Sequence, residues 1–565
     1  MGLLVNVVDT DYTSCLINAI AHATEQHDMN LLCFAGGTLF SPDQFVAQRN
    51  VCFEFPSPDW LDGLLIMTLG GYADAVKLGQ YCERYRPLPM CSIGIDCEGI
   101  PGVQVDNTRG MKNAIVHLMD VHGLQRIAFV RGPDASEQAG IRFQAYQQCM
   151  AERGIEPDPD LVLPGNFERV EGATAMHRLL ERQVPFEAVV AANDHMALGA
   201  LEALEEHRIE VPGQVAVVGF DDVREARYAI PGLTTVRQPL DEQASLAINL
   251  LLSQLRGKAV PRRMIVDAKL VVRQSCGCAS HALRAATLIQ SGSSASPEPG
   301  PPSSREQRPS GSRLAGGPGL FVTARQGVAE AFESEVHERQ NGVFALALAS
   351  VLRKTVGSGE SADVWHGVVS ELRKQVLPQV SEDPQRWLRT ENLLQQARIL
   401  VGEALEAQQG HQRLRAEYWA HVMAETGARL SSKFDVGALS TALREQISAL
   451  GVGSSFLVVY EGLRHAGRWS RLALAYDAKT GVELSEPGRR FSPQQLLPDD
   501  VRPGYRRYTL VVQPLFYQNE QLGVLLLELG PCPGYVYEAL REYASVALKG
   551  AQLMRRNLPP SQRRY

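Results

Sequence analysis

The sequence predicts an α/β fold with a mostly parallel sheet, followed by a helical segment and a small α+β unit. Short apolar runs alternate with amphipathic stretches from Met1 to about Arg273, which is the pattern of strands separated by helices. Further along, apolar residues recur at helical spacing, and strand-like runs return near the end. A chain of 565 residues has room for about three or four domains.

The composition leads us to expect folded domains in a cytoplasmic protein. Hydrophobic residues make up 45% and charged residues 21%, which supports globular cores, and the net charge of -7 argues against a general polyanion binder. The first residues lack the features of a secretory signal, and no uncharged apolar stretch has the roughly 18 residues of a membrane helix. The ten cysteines are scattered, which favours reduced thiols over a disulfide framework.

Residues 1–278 contain the runs that predict the parallel sheet. These runs are LLVNVVD, NLLCFAGG, GLLIMTL, MCSIGID, RIAFVRG, AVVAAND and VAVVGFDD, and helix-like segments follow several of them. Strands separated by helices of this length predict a sheet that is covered on both faces. In such folds, ligands bind beyond the carboxyl ends of the strands, where the chain leaves the sheet.

Residues 279–319 are predicted to form a flexible linker, and residues 320–430 a helical bundle or dimerisation segment. From about Ser291 to Gly319 the chain has almost no large apolar residues, so burial cannot offset its ordering entropy. The stretches GVFALALASVLRKTV and ENLLQQARILVGEALEAQ then place apolar residues at helical spacing. Their Leu and Ala stripes are more typical of a core than of a cofactor site.

Residues 431–555 are predicted to form a small α+β domain with an antiparallel sheet, and residues 556–565 a basic tail. The stretch TLVVQPLFYQNEQLGVLLLELG has two apolar halves around a polar turn near Asn519, which is the pattern of a β-hairpin. The helix-like stretches VGALSTALREQISALGV and YVYEALREYASVALKGAQLM lie before and after the strands.

Four stretches within residues 1–278 carry a family pattern when they are taken together. They are GVQVDNTRGMKNAIVHLMDVHGLQRIAFVRGP, AANDHMALGALEAL, VPGQVAVVGFDDVREARYAIPGLTTVRQP and VVRQSCGC. In this order they resemble the ligand-binding domain of LacI/GalR-type regulators, which has the type I periplasmic-binding-protein fold. The resemblance implies two α/β lobes that close over a small solute, such as a sugar or a nucleoside-like molecule.

The resemblance also implies positions for the binding site. It assigns polar anchors to Arg142 of GIRFQAY, Asn193 of AAND and Asp221 of GFDD. Their chemistry suits a polar solute, because a carboxylate accepts hydrogen bonds from neighbouring hydroxyls and a guanidinium donates in a fork. In the loop after the first strand, Asp9, Asp11 and Tyr12 are candidates for the opposite wall. An aromatic ring such as Phe34 or Phe220 could stack on a sugar face.

The sequence leaves structural alternatives open for these assignments. Asp221, Arg142 and Asn193 could each have a structural role instead of contacting the ligand. Asp222 could cap the segment that follows it, so that only its neighbour in GFDD faces the ligand. Asp106 and Asn107 are expected to fix a turn or to cap a helix that begins near Met111.

The sequence gives no sign of a metal site, a cofactor or an enzyme. Cys276 and Cys278 have no matching Cys or His pair at zinc-finger spacing, so we expect a structural end of the domain there. His366, His411 and His421 lie in helix-like stretches without the context of a phospho-accepting histidine. A GGDEF stretch, a P-loop, a G-x-S-x-G elbow and an HExxH pair are all absent from the sequence.

The C-terminal hairpin and the order of the domains carry a second resemblance. TLVVQPLFYQNEQLGVLLLEL is similar to the central hairpin of a GAF-like sensory domain. A ligand domain, a helical segment and such a module resemble the input half of bacterial sensor histidine kinases and diguanylate cyclases. LacI-type repressors begin with a helix-turn-helix headpiece, whereas here the first strand starts by Leu3, so the sequence does not predict direct operator binding.

We therefore expect a homodimeric ligand sensor that binds a small-molecule effector and regulates transcription or signalling, without a cofactor. One alternative is a regulator that binds DNA through an unrecognised element. Another is an input fragment of a kinase or cyclase system whose catalytic partner is a separate protein. A third is a solute buffer with no output.

Overall fold

The computed structural model describes residues 1–67, 72–278, 318–337, 342–357, 361–461, 469–478, 488–492, 495–503 and 506–557. It divides into two compact units, Met1–Cys278 with Val422–Tyr565, and Ala279–His421. The predicted linker falls almost entirely outside the described residues, as do residues 558–565 of the predicted basic tail. No described helix is long and apolar enough to span a membrane.

The strands are β1 (Gly2–Val5), β2 (Leu31–Ala35), β3 (Leu64–Met67), β4 (Met90–Ile93), β5 (Gly102–Val105), β6 (Ile127–Val130), β7 (Val162–Leu163), β8 (Ala188–Ala191), β9 (Ala216–Val218), β10 (Thr235–Arg237), β11 (Arg263–Val266), β12 (Lys269–Val271), β13 (Ser454–Glu461), β14 (Trp469–Asp477), β15 (Arg490–Phe491), β16 (Thr509–Tyr517) and β17 (Glu520–Glu528). The α-helices are α1 (Asp11–Gln26), α2 (Gln44–Ala47), α3 (Ala75–Cys82), α4 (Asn107–Val116), α5 (Glu137–Glu152), α6 (Arg169–Glu181), α7 (Asp194–Glu206), α8 (Arg224–Tyr228), α9 (Leu240–Leu255), α10 (Pro318–Val336), α11 (Val343–Gly357), α12 (Val364–Val376), α13 (Pro384–Ser431), α14 (Val436–Ala449) and α15 (Gly534–Asn557). A π-helical turn, His117–Val121, continues α4, and 3₁₀ turns occur at Gln48–Glu54, Glu83–Tyr85, Pro159–Leu161, Leu377–Gln379 and Asp499–Val501.

The first lobe is built on six parallel strands in the order β11-β5-β4-β3-β1-β2. All residues of β1 to β4 are buried, as expected for strands that are covered on both faces. Helix α9 packs against β4, β5 and α1. The predicted parallel sheet is confirmed in this lobe.

The second lobe has a separate parallel sheet in the order β7-β6-β8-β9. Helices α6 and α7 pack against each other, and α7 packs against β8 and β9. A small antiparallel pair, β10 and β12, lies beside β9, which it joins through a bridge between Val218 and Thr234. The α/β, two-lobed fold class is therefore confirmed.

The chain crosses between the lobes in three places. The crossings lie between β5 and α4, between β10 and α9, and between β11 and β12. Asp106, Gln238 and Asp267 lie in these three short connections. Side chains in the crossings therefore lie between the lobes, where a closing motion would change their surroundings.

The C-terminal module, which we define as β13 to β17 with α14 and α15, continues the sheet of the first lobe. Its antiparallel strands follow the order β16-β17-β13-β14-β15, and the predicted hairpin is confirmed as β16 and β17. Strand β16 then pairs in parallel with β2, with Thr509 opposite Leu31 and Val512 opposite Phe34. The result is one sheet of eleven strands with a shared apolar core on one face.

The other compact unit is helical, as the apolar spacing predicted. Helices α10, α11 and α12 and the first half of α13 contribute to one apolar core. Phe332 and Phe344 meet edge to face within this core, and the indole of Trp365 donates a hydrogen bond to Thr355 Oγ1 at 3.2 Å. Leu348, Leu352, Leu393, Leu394 and Ala397 are buried in the same core, so these members of the predicted stripes are core residues.

Candidate functional site

The GFDD turn places two carboxylates directly after a buried strand. Strand β9 ends at Val218, and both Asp221 (φ 124°) and Asp222 (φ 57°) adopt the left-handed backbone region that L-residues rarely occupy. A Cβ atom at Gly219 would lie 2.1 Å from Asp194 Oδ1, so only glycine allows this close approach. The strained turn thus fixes the direction of both side chains.

Arg142 and Asp221 form a buried pair beside this turn. Arg142 Nη1 lies 3.6 Å from Asp221 Oδ1, and the Arg142 side chain is almost fully buried. Its Nε donates to Asn107 Oδ1 at 2.8 Å, its Nη1 donates to the carbonyl of Ala192 at 2.6 Å, and its guanidinium lies 3.7 Å from the ring centroid of Phe220. The guanidinium is therefore held in one orientation before any ligand binds.

The charges of this pair and the hydroxyl of Tyr12 influence one another. Burial raises the pKa of Asp221, and the guanidinium of Arg142 opposes that shift. Burial also raises the pKa of Tyr12, and the negative charge of Asp221 adds to the increase. Arg142, Asp221 and Tyr12, three of the predicted site residues, therefore lie together, with Tyr12 contributed by the first lobe.

Two residues from the crossings complete the cluster, and the sequence reasoning assigned neither of them to the site. Gln238 Nε2 donates to Asp221 Oδ1 at 2.6 Å, and Asn107 accepts the hydrogen bond from Arg142. Gln238 directly follows β10, and Asn107 lies two residues after the end of β5. This position near a strand end is the signal that could have identified both. Asp106 does cap α4, since it accepts from Arg109 N at 2.8 Å, but the helix begins at Asn107 instead of near Met111.

A cleft adjoins this cluster between the strand ends of the first lobe and helix α5 of the second lobe. Its lining includes Gly94, Asp96, Asn107, Glu137 and Gln138. The carboxylate and amide groups of Asp96, Asn107, Glu137 and Gln138 can form hydrogen bonds with a polar ligand, and Ile141 and Ile265 add apolar surface. The residues that follow β3, at positions 68–71, lie outside the described residues.

Comparisons with known proteins identify the family of the ligand-binding domain. A family model described as a periplasmic binding protein-like domain matches residues 116–276. The HTH-type transcriptional regulator CelR of Thermobifida fusca is 35% identical over 242 residues, which cover 40% of this chain and 71% of CelR. The chain belongs to the LacI family. It is therefore a ligand-binding regulatory protein, as the resemblance implied.

Other LacI-family matches also cover just under half of the chain. The HTH-type transcriptional repressor PurR of Pasteurella multocida is 28% identical over 281 residues, 49% of this chain and 80% of PurR. The solved CelR-cellobiose complex is 27% identical, with a TM-score of 0.43, over 48% of this chain and 83% of that chain.

The structure gives Asn193 and Phe220 roles that maintain the fold. Asn193 caps α7: its Oδ1 accepts from Met196 N at 3.0 Å, and its Nδ2 donates to the carbonyl of Phe167 at 3.0 Å. Both ends of the amide thus contact the protein itself. The ring of Phe220 is fully buried beneath Arg142, and the stacking of Phe220 on a sugar remains a prediction.

The carboxylate of Asp222 forms ion pairs with arginine side chains. Its carboxylate, only 1% exposed, accepts from Arg237 Nε and from Arg273 Nη2, each at 2.5 Å. The expectation that Asp222 caps the following segment is therefore corrected, because α8 has no side-chain cap and Asp222 is held by these two cations instead. Its neighbour Asp221 is the carboxylate that reaches the Arg142 pair.

The two acidic residues of the first loop do not join the cluster as Tyr12 does. Asp9 is exposed, and Asp11 lies in the first turn of α1. The charge of Asp11 raises the pKa of the nearby Cys15 thiol, after the larger effect of burial. Asp9 and Asp11 therefore remain predictions as ligand contacts.

Asp194 is a buried carboxylate that the sequence reasoning did not select. Its Oδ1 accepts from Thr235 Oγ1 at 2.5 Å and its Oδ2 accepts from Val223 N at 2.9 Å. Burial, together with the charge of Asp221, raises its pKa to about 8. Asp194 therefore holds a proton at neutral pH and connects the GFDD turn to β10.

Proposed function

We propose that a small polar solute, a sugar or a nucleoside-like molecule, binds between the lobes against Asp221, Arg142 and Tyr12. A carboxylate can accept hydrogen bonds from two neighbouring hydroxyls, and a guanidinium can donate to ring or hydroxyl oxygens. Asn107 and Gln238 would fix these groups, and the effector would replace water in the adjoining cleft. The reaction is binding alone, without catalysis or a cofactor.

The observation that carries this proposal is the attachment of the buried pair to the crossings. Asn107, the first residue after one crossing, holds Arg142, and Gln238, within another crossing, holds Asp221. A solute that contacts the pair would bind the closed arrangement of the lobes more tightly than the open one. A change from 1:99 to 99:1 in favour of the closed form would require about 10⁴-fold preference, or about 5.5 kcal/mol.

A screen of sugars, nucleosides and small acids by thermal shift would identify the effector class. A solute present at about 100 times its Kd should add about 2.7 kcal/mol to the free energy of unfolding. Asp221→Asn should then weaken the Kd of the hit about 10- to 100-fold, because it removes a hydrogen-bond acceptor that carries charge.

Asp59→Asn is the matched control for this substitution. Asp59 is an exposed carboxylate in a turn of the first lobe, where it accepts from Ser57 Oγ at 3.0 Å. Its replacement should leave the Kd unchanged. An unchanged Kd in Asp221→Asn would show that the effector binds elsewhere.

We also propose that the C-terminal module is GAF-like and receives the effect of ligand binding. Its antiparallel sheet, with the first strand in the middle, and its helices α14 and α15 support this assignment. The pairing of β16 with β2 supports the coupling, because it joins the module to the first lobe through backbone hydrogen bonds. Output would then pass through a homodimer or a signalling partner.

A further inference from the structure

Four potential metal ligands meet at the end of the second lobe, although they are far apart in the sequence. His117 Nε2 lies 3.3 Å from Cys276 Sγ and 3.5 Å from Cys278 Sγ, and His122 Nε2 lies 3.3 Å from Cys278 Sγ. All four ligand atoms lie within 4.8 Å of one another. The sequence offered no second pair at zinc-finger spacing, because the histidines precede the cysteines by more than 150 residues.

The π-helical turn at the end of α4 brings the two histidines together. His117 opens this turn, and His122 caps it. In an α-helix, residues five apart point about 140° away from each other, whereas a π turn closes between residues i and i+5 and brings them to one side. Their rings are 5.1 Å apart between centroids.

The Cys-Gly-Cys segment supplies the other two ligands, and its glycine is required by the geometry. Gly277 has φ 99°, a backbone conformation that L-residues rarely adopt. A Cβ atom at this position would also lie 3.3 Å from the His122 ring. The glycine thus allows Cys276 and Cys278 to face the same two histidines.

The distances fit a tetrahedral site with two sulfur and two nitrogen ligands. Zinc bonds of about 2.3 Å to sulfur and about 2.0–2.1 Å to nitrogen place a sulfur and a nitrogen about 3.6 Å apart. The three sulfur-to-nitrogen distances above are within a few tenths of an ångström of that value. Both cysteines are reduced thiols, so they can serve as thiolate ligands.

We infer that His117, His122, Cys276 and Cys278 bind a zinc ion as a closed structural site. Four protein ligands leave no open coordination position, which distinguishes such a site from a catalytic one. Metal binding would release the thiol protons and would stabilise the folded lobe.

The proposed zinc site would hold the last residues of the second lobe, around Cys276 and Cys278, in a fixed position near the ligand-binding cluster. Just before it, Ser275 Oγ donates to the carbonyl of Val217 at 2.6 Å, and Arg273 donates to Asp222. Val217 belongs to β9, the strand that leads to the GFDD turn. A metal at this point would therefore hold Arg273 in place behind the Asp222 carboxylate.

Metal analysis of the full-length chain, purified under reducing conditions and loaded with Zn²⁺, tests this inference. We expect about one zinc per chain after removal of weakly bound metal, and loss of that zinc in Cys278→Ser and in His122→Gln. Cys15→Ser and His27→Gln, which replace an exposed cysteine and an exposed histidine outside the cluster, should keep it.

Cobalt substitution of the wild-type chain keeps the test valid if the variants fail to fold. Co²⁺ at this site should give the intense visible absorption of a tetrahedral complex and thiolate charge-transfer bands, both removed by excess Zn²⁺. A weak octahedral spectrum would overturn the inference. So would a zinc-free wild-type chain, a Cys278→Ser variant that keeps its zinc, or a disulfide between the two cysteines under reducing conditions.

Discussion

The two lobes differ in what they contribute: the second carries the buried charged pair, and the first is joined to the C-terminal module. The second lobe has a separate four-stranded sheet and contributes both charged residues of the buried pair, Arg142 and Asp221. The first lobe has a sheet that runs on into the C-terminal module. Because the charges belong to one lobe and the module is joined to the other, the proposed closure of the lobes would move a ligand bound to the pair relative to the module.

The join between the first lobe and the module includes a close backbone approach and a largely buried ion pair. Gly534, the first residue of α15, lies against the loop after β1: a Cβ atom there would be 2.0 Å from the carbonyl oxygen of Val8. Arg49 Nη2 also pairs with Glu538 Oε2 at 2.8 Å, and both side chains are largely buried. The loop that leads into α1, the helix that carries Tyr12, is therefore in contact with the start of α15.

The largest effect should come from breaking the charged pair of the second lobe. Arg142→Met keeps most of the side-chain volume but leaves the buried Asp221 carboxylate without its cation, and loss of one partner of a buried pair costs about 3–5 kcal/mol. We expect a clear fall in the urea midpoint of the second lobe, measured by hydrogen exchange of β6 and β8. Arg153→Met, which removes an exposed arginine that pairs with Asp120, should change the midpoint little. Equal midpoints in the two variants would contradict the role assigned to the buried pair.

A smaller loss of stability should follow when the contact between the first lobe and the C-terminal module is disturbed. Gly534→Ala places a methyl group against a backbone carbonyl that cannot rotate away, and such overpacking costs about 1–3 kcal/mol. Gly550→Ala is the control, because it lies in the same helix and a methyl group there would have open space within 4 Å, so alanine should be neutral or slightly stabilising. If both variants unfold at the same urea concentration, the contact between Gly534 and Val8 does not join the two parts.

The third expected effect is a pH dependence in the second lobe. Burial raises the pKa of Asp194 to about 8, so the folded protein keeps a proton that the unfolded chain loses near pH 4. The stability from this group is complete below about pH 4 and is lost as the pH rises through about 8. Asp194→Asn is neutral at every pH, so its unfolding midpoint should fall less than that of the wild type between about pH 6 and pH 9. Parallel pH profiles for the two proteins would show that Asp194 is already ionised at neutral pH.

The sequence predicted the fold of each part more fully than the way the parts join. Runs such as LLCFA and VAVV predicted parallel strands because uninterrupted apolar stretches indicate burial on both faces. The pairing of β2 with β16 was not predictable in this way, since a buried strand has the same apolar pattern at an edge and in the middle of a sheet. Its partner is determined by which edge is available in three dimensions, and the two strands are separated by more than 470 residues.

For the candidate site too, the sequence could not predict contacts between residues that are distant in the chain. Asp221 and Arg142 were found because the family resemblance carries their positions, and Tyr12 because it follows a strand. Asn107 and Gln238 were missed, because an amide next to a strand has the same local signal whether it fixes a turn or holds a buried charge. Their roles depend on contacts with residues that are distant in the chain.

We propose that the effect of ligand binding in the cleft reaches the C-terminal module through the first lobe. Hydrogen–deuterium exchange of the full-length chain, with and without the solute identified by thermal shift, tests it most directly. We expect slower exchange at residues 6–14, in β16 and in the first turn of α15, and no such change in Asp221→Asn. Slower exchange that is confined to the residues around the cleft, with β16 and α15 unchanged, would contradict it.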